Sequence, residues 1–255
     1  MKRDTKIILG VVIAIVIILG ILAYFASDGH LSMQNENPSA TSSAQNATGT
    51  TEGTSTAATS SVVEMETKTI TREADQYSIK DDYPAGNLPG ASVVSAAIEK
   101  QASDFASRAA QENTPGTGSG NKYEQVVKYE TYQHDGDISF VVKTYEYTGG
   151  ANGINVVSTF VFDQNGTQLA LADVVGQSTA DQNAFLANVQ SALSAKDKTL
   201  GIFAGAVQKL TFKDLSNFSL TSDGVVVSFS QYDVAPGASG IVTVTIPYSK
   251  INANS

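Results

Sequence analysis

The 255-residue chain contains no cysteine, no tryptophan and only two histidines. The lack of cysteine excludes a lipid-modified cysteine anchor, disulfide bonds and thiolate metal sites. A histidine-based active site would have to use His30, next to the apolar N-terminal segment, or His134 in a predicted turn, where a solvated side chain is the commoner role. We therefore expect no catalytic residues, no metal ligands and no cofactor, and hence no enzymatic activity.

Long apolar runs are also absent, with one exception near the N-terminus. Residues 7–25 form 19 consecutive residues without a charge, about the length of a helix that crosses a ~30 Å hydrocarbon layer. Lys2, Arg3 and Lys6 precede this run, and the positive-inside rule then places the N-terminus in the cytoplasm. We expect an uncleaved single-pass anchor, because the run is longer than a usual signal peptide and lacks small-x-small cleavage spacing.

Basic residues are too few to balance the acidic ones beyond this anchor. Residues 27–255 contain 13 Lys and Arg against 24 Asp and Glu, which gives a net charge of −11. An acidic surface disfavours nucleic acid and suits a cationic partner, although many domains are acidic only to remain soluble.

Apolar residues are sparse in the segment that follows the anchor. Between residues 39 and 61, 13 of 23 residues are Ser or Thr, which favours a disordered linker. We predict four regions: a cytoplasmic stub with the anchor at 1–26, a flexible linker at 27–61, and two parts of one extracytoplasmic domain at 62–172 and 173–252.

The remaining sequence alternates between strand and helix patterns. Apolar residues at 3–4 spacing predict a helix over 93–111 and another over 179–193. Alternating patterns and turn residues predict strands between them; their ranges are 62–70, 76–83, 122–133, 138–147, 154–163, 218–221, 225–231 and 241–248. This order predicts an α+β fold with mainly antiparallel sheets and two packed helices.

Two Gly-containing segments stand out in the last 110 residues. The first is Tyr147-Thr148-Gly149-Gly150-Ala151-Asn152-Gly153, and the second runs from Tyr232 to Gly240. Such loops either shape sharp connections or let a partner approach the backbone closely. If they form one contact region, flanking tyrosines supply aromatic area and Asp233 supplies charge. The candidate partner-binding residues are Tyr147, Gly149, Gly150, Asn152, Gly153, Tyr232, Asp233, Pro236, Gly237 and Tyr248. The alternative is that the glycines only shape turns and the tyrosines are partly buried.

Residues 145–173 (YEYTGGANGINVVSTFVFDQNGTQLALAD) and 229–248 (FSQYDVAPGASGIVTVTIPY) resemble one known extracytoplasmic region. It is shared by RsiV-type anti-sigma factors and the non-catalytic part of PdaC-type peptidoglycan deacetylases, and the resemblance covers about 66–252. It implies an α+β fold and a binding role at the cell envelope; in the RsiV branch the partner is lysozyme, a small basic protein.

The chain departs from these relatives in ways that shape the expected function. About six residues precede the apolar run, so we expect no sigma-factor-binding segment, and we expect no deacetylase domain. The family commonly has His where Asn152 stands and an aromatic residue where Gly237 stands. We expect a membrane-anchored binding module that senses or sequesters a lysozyme-like protein or contacts peptidoglycan. The alternatives are an accessory domain for a separate wall-modifying enzyme and a structural envelope protein.

Overall fold

The computed structural model describes residues 65–113 and 121–251. The predicted membrane segment at 7–25, the linker at 27–61 and the predicted strand start at 62–64 lie outside these ranges. Within the two ranges, no helix is both long enough and apolar enough to cross a membrane. The described residues belong to one compact unit, Ala58–Ser255.

The first sheet has five strands in chain order. They are β1 (Glu66–Glu73), β2 (Tyr77–Ala85), β3 (Tyr123–His134), β4 (Asp137–Tyr147) and β5 (Ile154–Phe162). The β2–β3 pair is parallel because helix α1 (Ala91–Glu112) joins these strands, whereas the other neighbouring pairs are antiparallel.

Helix α1 packs on one face of this sheet. Val94 and Ile98 meet the side chains of Phe140 and Phe162 in one apolar cluster. Phe105 lies in a second cluster with Ile79 and Tyr123. Burial of each large apolar side chain stabilises the fold by about 1.5–3 kcal/mol. The helix starts after Gly90, which has φ +80, and a Cβ at that position would overlap the Phe162 ring.

The second sheet is antiparallel and lies in the C-terminal part of the chain. Its strands are β6 (Phe218–Thr221), β7 (Gly224–Phe229) and β8 (Val242–Ile246). The helices of this part are α2 (Leu171–Val175), α3 (Thr179–Ala195), α4 (Asp197–Leu200) and α5 (Ala206–Lys209), with short 3₁₀ helices at Phe212–Leu215, Gly237–Ser239 and Tyr248–Lys250. Its core joins Phe185, Val189 and Leu193 of α3 to the apolar side chains of the sheet.

Side chains of the C-terminal part close the free edge of β5. The backbone N–H groups of Asn155, Val157 and Thr159 point away from β4. They donate to Gln231 Oε1 at 2.7 Å, Ser230 Oγ at 3.1 Å and Asn217 Oδ1 at 3.3 Å, respectively. These bonds replace a sixth strand and join the two sheets.

The predicted α+β class is confirmed, and so is the mainly antiparallel pairing. The prediction of two packed helices is wrong in number, because the described residues contain five α-helices. The two long helices correspond to the predicted ones, while α2, α4 and α5 have only four or five residues each. Helices that short do not complete two turns, so they leave no usable apolar period in the sequence.

Candidate functional site

The start of β5 and the loop after β7 are joined by one side chain, that of Gln231. Its Oε1 accepts from the backbone N–H of Asn155 at 2.7 Å and from Asn155 Nδ2 at 3.0 Å. Its Nε2 donates to the carbonyl oxygen of Gly237 at 2.9 Å, and its backbone N–H donates to the Asn155 carbonyl at 3.0 Å. Gln231 therefore connects the end of the first Gly-containing segment to the second.

The first segment is a tight connection between β4 and β5. Gly149 and Gly150 have φ +89 and φ +105, a backbone region that other residues rarely adopt. The hydroxyl of Tyr147 donates to the Gly150 carbonyl at 3.0 Å and fixes the loop. A Cβ at Gly153 would overlap the Tyr145 ring, whereas Asn152 is exposed. These glycines have a clear structural role, and Asn152 is open to a partner.

Tyr232 is the most exposed large apolar or aromatic side chain in the described ranges, at 43%. Its φ of +76 is unusual for a non-glycine residue and costs about 1–2 kcal/mol. Its ring lies over Gly237, so that a Cβ there would overlap the Tyr232 hydroxyl. The absence of a side chain at position 237 therefore leaves room for the ring of Tyr232.

The rest of this loop is braced internally. Asp233 Oδ2 accepts from the Ser230 N–H at 2.7 Å. Partial desolvation raises the pKa of the Asp233 carboxyl, and this hydrogen bond opposes the rise. Pro236 is exposed and precedes the 3₁₀ helix Gly237–Ser239. The loop thus has a fixed shape and presents polar and aromatic groups outward.

A third segment, around Phe203, borders the same loop. The Phe203 N–H donates to the Val234 carbonyl at 2.9 Å, and the Ser239 hydroxyl donates to the Leu200 carbonyl at 2.9 Å. Phe203 is 40% exposed. The sequence pattern predicts no helix or strand within residues 194–217, so this neighbour of the loop was not predicted.

All large apolar or aromatic side chains that are exposed in the described ranges belong to the segments connected here. They are Ile154, Phe203 and Tyr232. Ile154 directly precedes Asn155, and Tyr232 directly follows Gln231. We call the segments 149–155, 200–203 and 231–240 the loop surface.

Tyr248 does not join the loop surface. Its ring stacks on His134 at a centroid distance of 4.3 Å, and its hydroxyl donates to the Thr221 carbonyl at 3.0 Å. His134 is the last residue of β3 and pairs with Asp137, the first residue of β4. Tyr147 is at the other end of that 11-residue strand, about 33 Å away. Burial, together with the charges of Asp135 and Asp137, raises the pKa of the Tyr248 phenol. Tyr248 therefore acts as a packing residue of the β3–β4 turn.

The histidine considered for catalysis is held in that same turn. Its Nε2 lies 3.3 Å from Asp135 Oδ2, and the imidazole side chain is only 16% exposed. We expected a solvated turn histidine, but the Tyr248 ring covers it. In residues 65–113 and 121–251, no three His, Asp or Glu side chains are placed to share a metal ion.

The sequence profile of the DUF3298 family, described as a protein of unknown function, matches residues 172–249. No curated protein matched the chain. The fold is similar to a solved DUF3298 family protein from Pseudomonas aeruginosa PAO1, with TM-score 0.54, 19% identity, and coverage of 74% of this chain and 94% of that one. A DUF3298 member from Bacteroides fragilis NCTC 9343 gives TM-score 0.49, 18% identity, and coverage of 72% and 91%. Residues 172–249 are thus similar in sequence to the DUF3298 domain.

Proposed function

We propose that this protein is a binding module of the cell envelope, anchored through residues 7–25, which captures a basic lysozyme-like protein through the loop surface. The resemblance of residues 145–173 and 229–248 to the RsiV and PdaC extracytoplasmic regions also supports this proposal. The DUF3298 match and the fold similarity are consistent with that resemblance but do not select a partner.

The proposal rests on one observation, which is that Tyr232 is both exposed and held in a strained backbone conformation. A strained, 43% exposed tyrosine is costly for a fold and is often retained where it makes a contact. Rigid aromatic side chains are also frequent anchors of protein interfaces. The RsiV- and PdaC-type regions commonly have an aromatic residue where Gly237 stands. In this chain the Tyr232 ring occupies the space above Gly237. The loop therefore still presents an aromatic ring at this place.

Charge supports a basic partner over an acidic one. The chain beyond residue 26 has 13 basic against 24 acidic side chains, and Asp233 adds a carboxylate beside Tyr232. Such complementarity increases association rates more than it increases affinity. We therefore expect binding that weakens as salt is added.

The test compares Tyr232→Gly with Asp135→Gly in the full-length chain, purified in mild detergent. Both positions have positive φ, so glycine fits the backbone at each, but Asp135 lies in the β3–β4 turn away from the loop surface. We expect both variants to keep the wild-type melting temperature within a few degrees. Calorimetric titration with lysozyme should show at least about 30-fold weaker binding for Tyr232→Gly only.

Equal binding by Tyr232→Gly and wild type would show that the partner surface lies elsewhere. If wild type binds isolated peptidoglycan fragments but not lysozyme, the ligand is the wall itself and the lysozyme proposal is wrong. If the wild type binds neither lysozyme nor peptidoglycan fragments, the alternatives of a structural envelope protein or an accessory domain are favoured.

A further inference from the structure

A buried polar pair lies beneath helix α1, where its two apolar clusters meet. Asp81 on β2 and Gln125 on β3 both have 0% exposure. In the parallel register, Gln125 is opposite Ile79 of one cluster and Asp81 is opposite Val127 of the other. Gln125 Nε2 donates to Asp81 Oδ2 at 2.5 Å. Two polar groups in such a place are costly unless their hydrogen bonds are complete.

One oxygen on each partner has no hydrogen bond. Asp81 Oδ1 and Gln125 Oε1 are both buried and unpaired among the described residues. Both are acceptors when Asp81 is ionised, and a buried acceptor without a donor destabilises the folded state. A proton on the carboxyl supplies the missing donor, and the amide oxygen is the acceptor that it needs.

We propose that Asp81 is a neutral acid in the folded protein at mildly acidic pH and donates its O–H to Gln125 Oε1. With the bond from Gln125 Nε2, this makes a two-hydrogen-bond carboxyl–amide clasp between β2 and β3. The proton comes from solvent, and ionisation of Asp81 opens one side of the clasp. The two sheet strands under α1 are then joined more tightly in acid than at neutral pH.

The charges around the pair favour the neutral acid. Glu146 on β4 disfavours the Asp81 anion, and Arg72 on β1 favours it. Arg108 of α1 is paired with Glu146 at 2.6 Å. Burial is the largest effect and raises the pKa of Asp81 to about 6, against the ordinary 3.8; the Gln125 and Val127 N–H groups oppose it.

The direction of the pH effect follows from this raised pKa. Because the folded state holds the proton more tightly than the unfolded chain, the stabilisation is fully present below pH 3.8. It declines as pH rises from 3.8 to about 6 and is absent above that value. Across this range the Asp81 contribution to the unfolding equilibrium constant changes by about a hundredfold, since one pKa unit is a factor of ten.

The test uses Asp81→Asn in the full-length chain, with Asp82→Asn as the matched control. An Asn amide donates and accepts as the neutral acid does, without a titrating proton. Asp82 is the next residue on β2, faces the other side of the sheet and pairs with Lys128 at 2.5 Å. Urea unfolding at pH 4 and pH 7.5 should show that Asp81→Asn is more stable than wild type only at pH 7.5. Asp82→Asn retains Asp81, so its stability to urea should still include the pH dependence that Asp81 causes in the wild type.

If Asp81→Asn does not fold, carbon-13 nuclear magnetic resonance of the wild-type chain tests the same protonation directly. The ¹³C signal of the Asp81 carboxyl should titrate with a midpoint near pH 6. A midpoint below about pH 4.5 would overturn the proposal, because Asp81 would then stay ionised and a buried water would have to satisfy both oxygens. Unchanged pH dependence in Asp81→Asn would overturn it equally.

Discussion

Gln231 shows at the scale of one residue why the end of a strand is hard to predict. The sequence pattern continues the strand to position 231, but β7 ends at Phe229. Ser230 and Gln231 leave the second sheet and bond instead to the edge of β5, with Gln231 reaching Asn155. This partner lies 76 residues away in the sequence, so no local signal identifies it.

Gln231→Ala should destabilise the protein by about 2 kcal/mol, because the Asn155 N–H and the Gly237 carbonyl lose their partner. It should also weaken lysozyme binding by loosening the loop surface. Urea denaturation and calorimetric titration check the two effects. Gln208→Ala, an exposed position on α5, is the control. A Gln231→Ala protein as stable as this control would refute the role of the bridge.

The exposure of Tyr232 could not be predicted from the sequence. The sequence indicated that tyrosines flank the Gly-containing segments, but it did not distinguish an exposed ring from a buried one. The structure separates them: Tyr232 is exposed, Tyr147 holds its own loop, and Tyr248 packs on His134. These differences arise from tertiary packing, which composition and spacing do not encode locally.

At the scale of elements, long periodic segments were predictable to within a few residues. The predicted helix over 93–111 is observed as Ala91–Glu112, because its apolar positions recur at helical spacing. The Asp135-Gly136 hairpin and the Gly224 turn are also observed where turn residues predict them. The parallel β2–β3 pair was not predicted, since strand order depends on how α1 crosses the sheet.

The end of α1 depends on one buried side chain. Asn113 Nδ2 donates to the Gln76 carbonyl at 2.8 Å and to the Asn121 carbonyl at 2.9 Å, and thus fixes the helix end to the strand edge. Asn113→Ala should cost about 1–3 kcal/mol of unfolding free energy. Gln111→Ala, exposed in the same last turn, should cost less than about 0.5 kcal/mol. Urea denaturation would contradict this view if both variants lost the same stability.

At the scale of the whole molecule, the two sheets are bound to each other by polar and apolar contacts. The buried Ser139 hydroxyl of β4 accepts from the Leu220 N–H of β6 at 2.9 Å. Val161 of β5 belongs to the same apolar cluster as the second sheet. Without the C-terminal part the edge of β5 would be open, and without β5 the apolar cluster of the second sheet would lack Val161.

We therefore predict that the part of the chain that the structure describes, residues 65–113 and 121–251, unfolds in one cooperative transition. Far-ultraviolet circular dichroism and tyrosine fluorescence of the full-length chain should give the same urea midpoint. Ser139→Ala should lower that midpoint for both signals together. Separate midpoints for the two signals would mean that the sheets are independent domains.

The most direct test of the account is hydrogen exchange of the full-length chain with and without lysozyme. We predict slower amide exchange on binding in 149–155, 200–203 and 231–240, with no change in the Asp135 turn or along β1. Protection confined to β1 or to the β3–β4 turn, or no protection anywhere at saturating lysozyme, would contradict the assignment of the loop surface as the binding site.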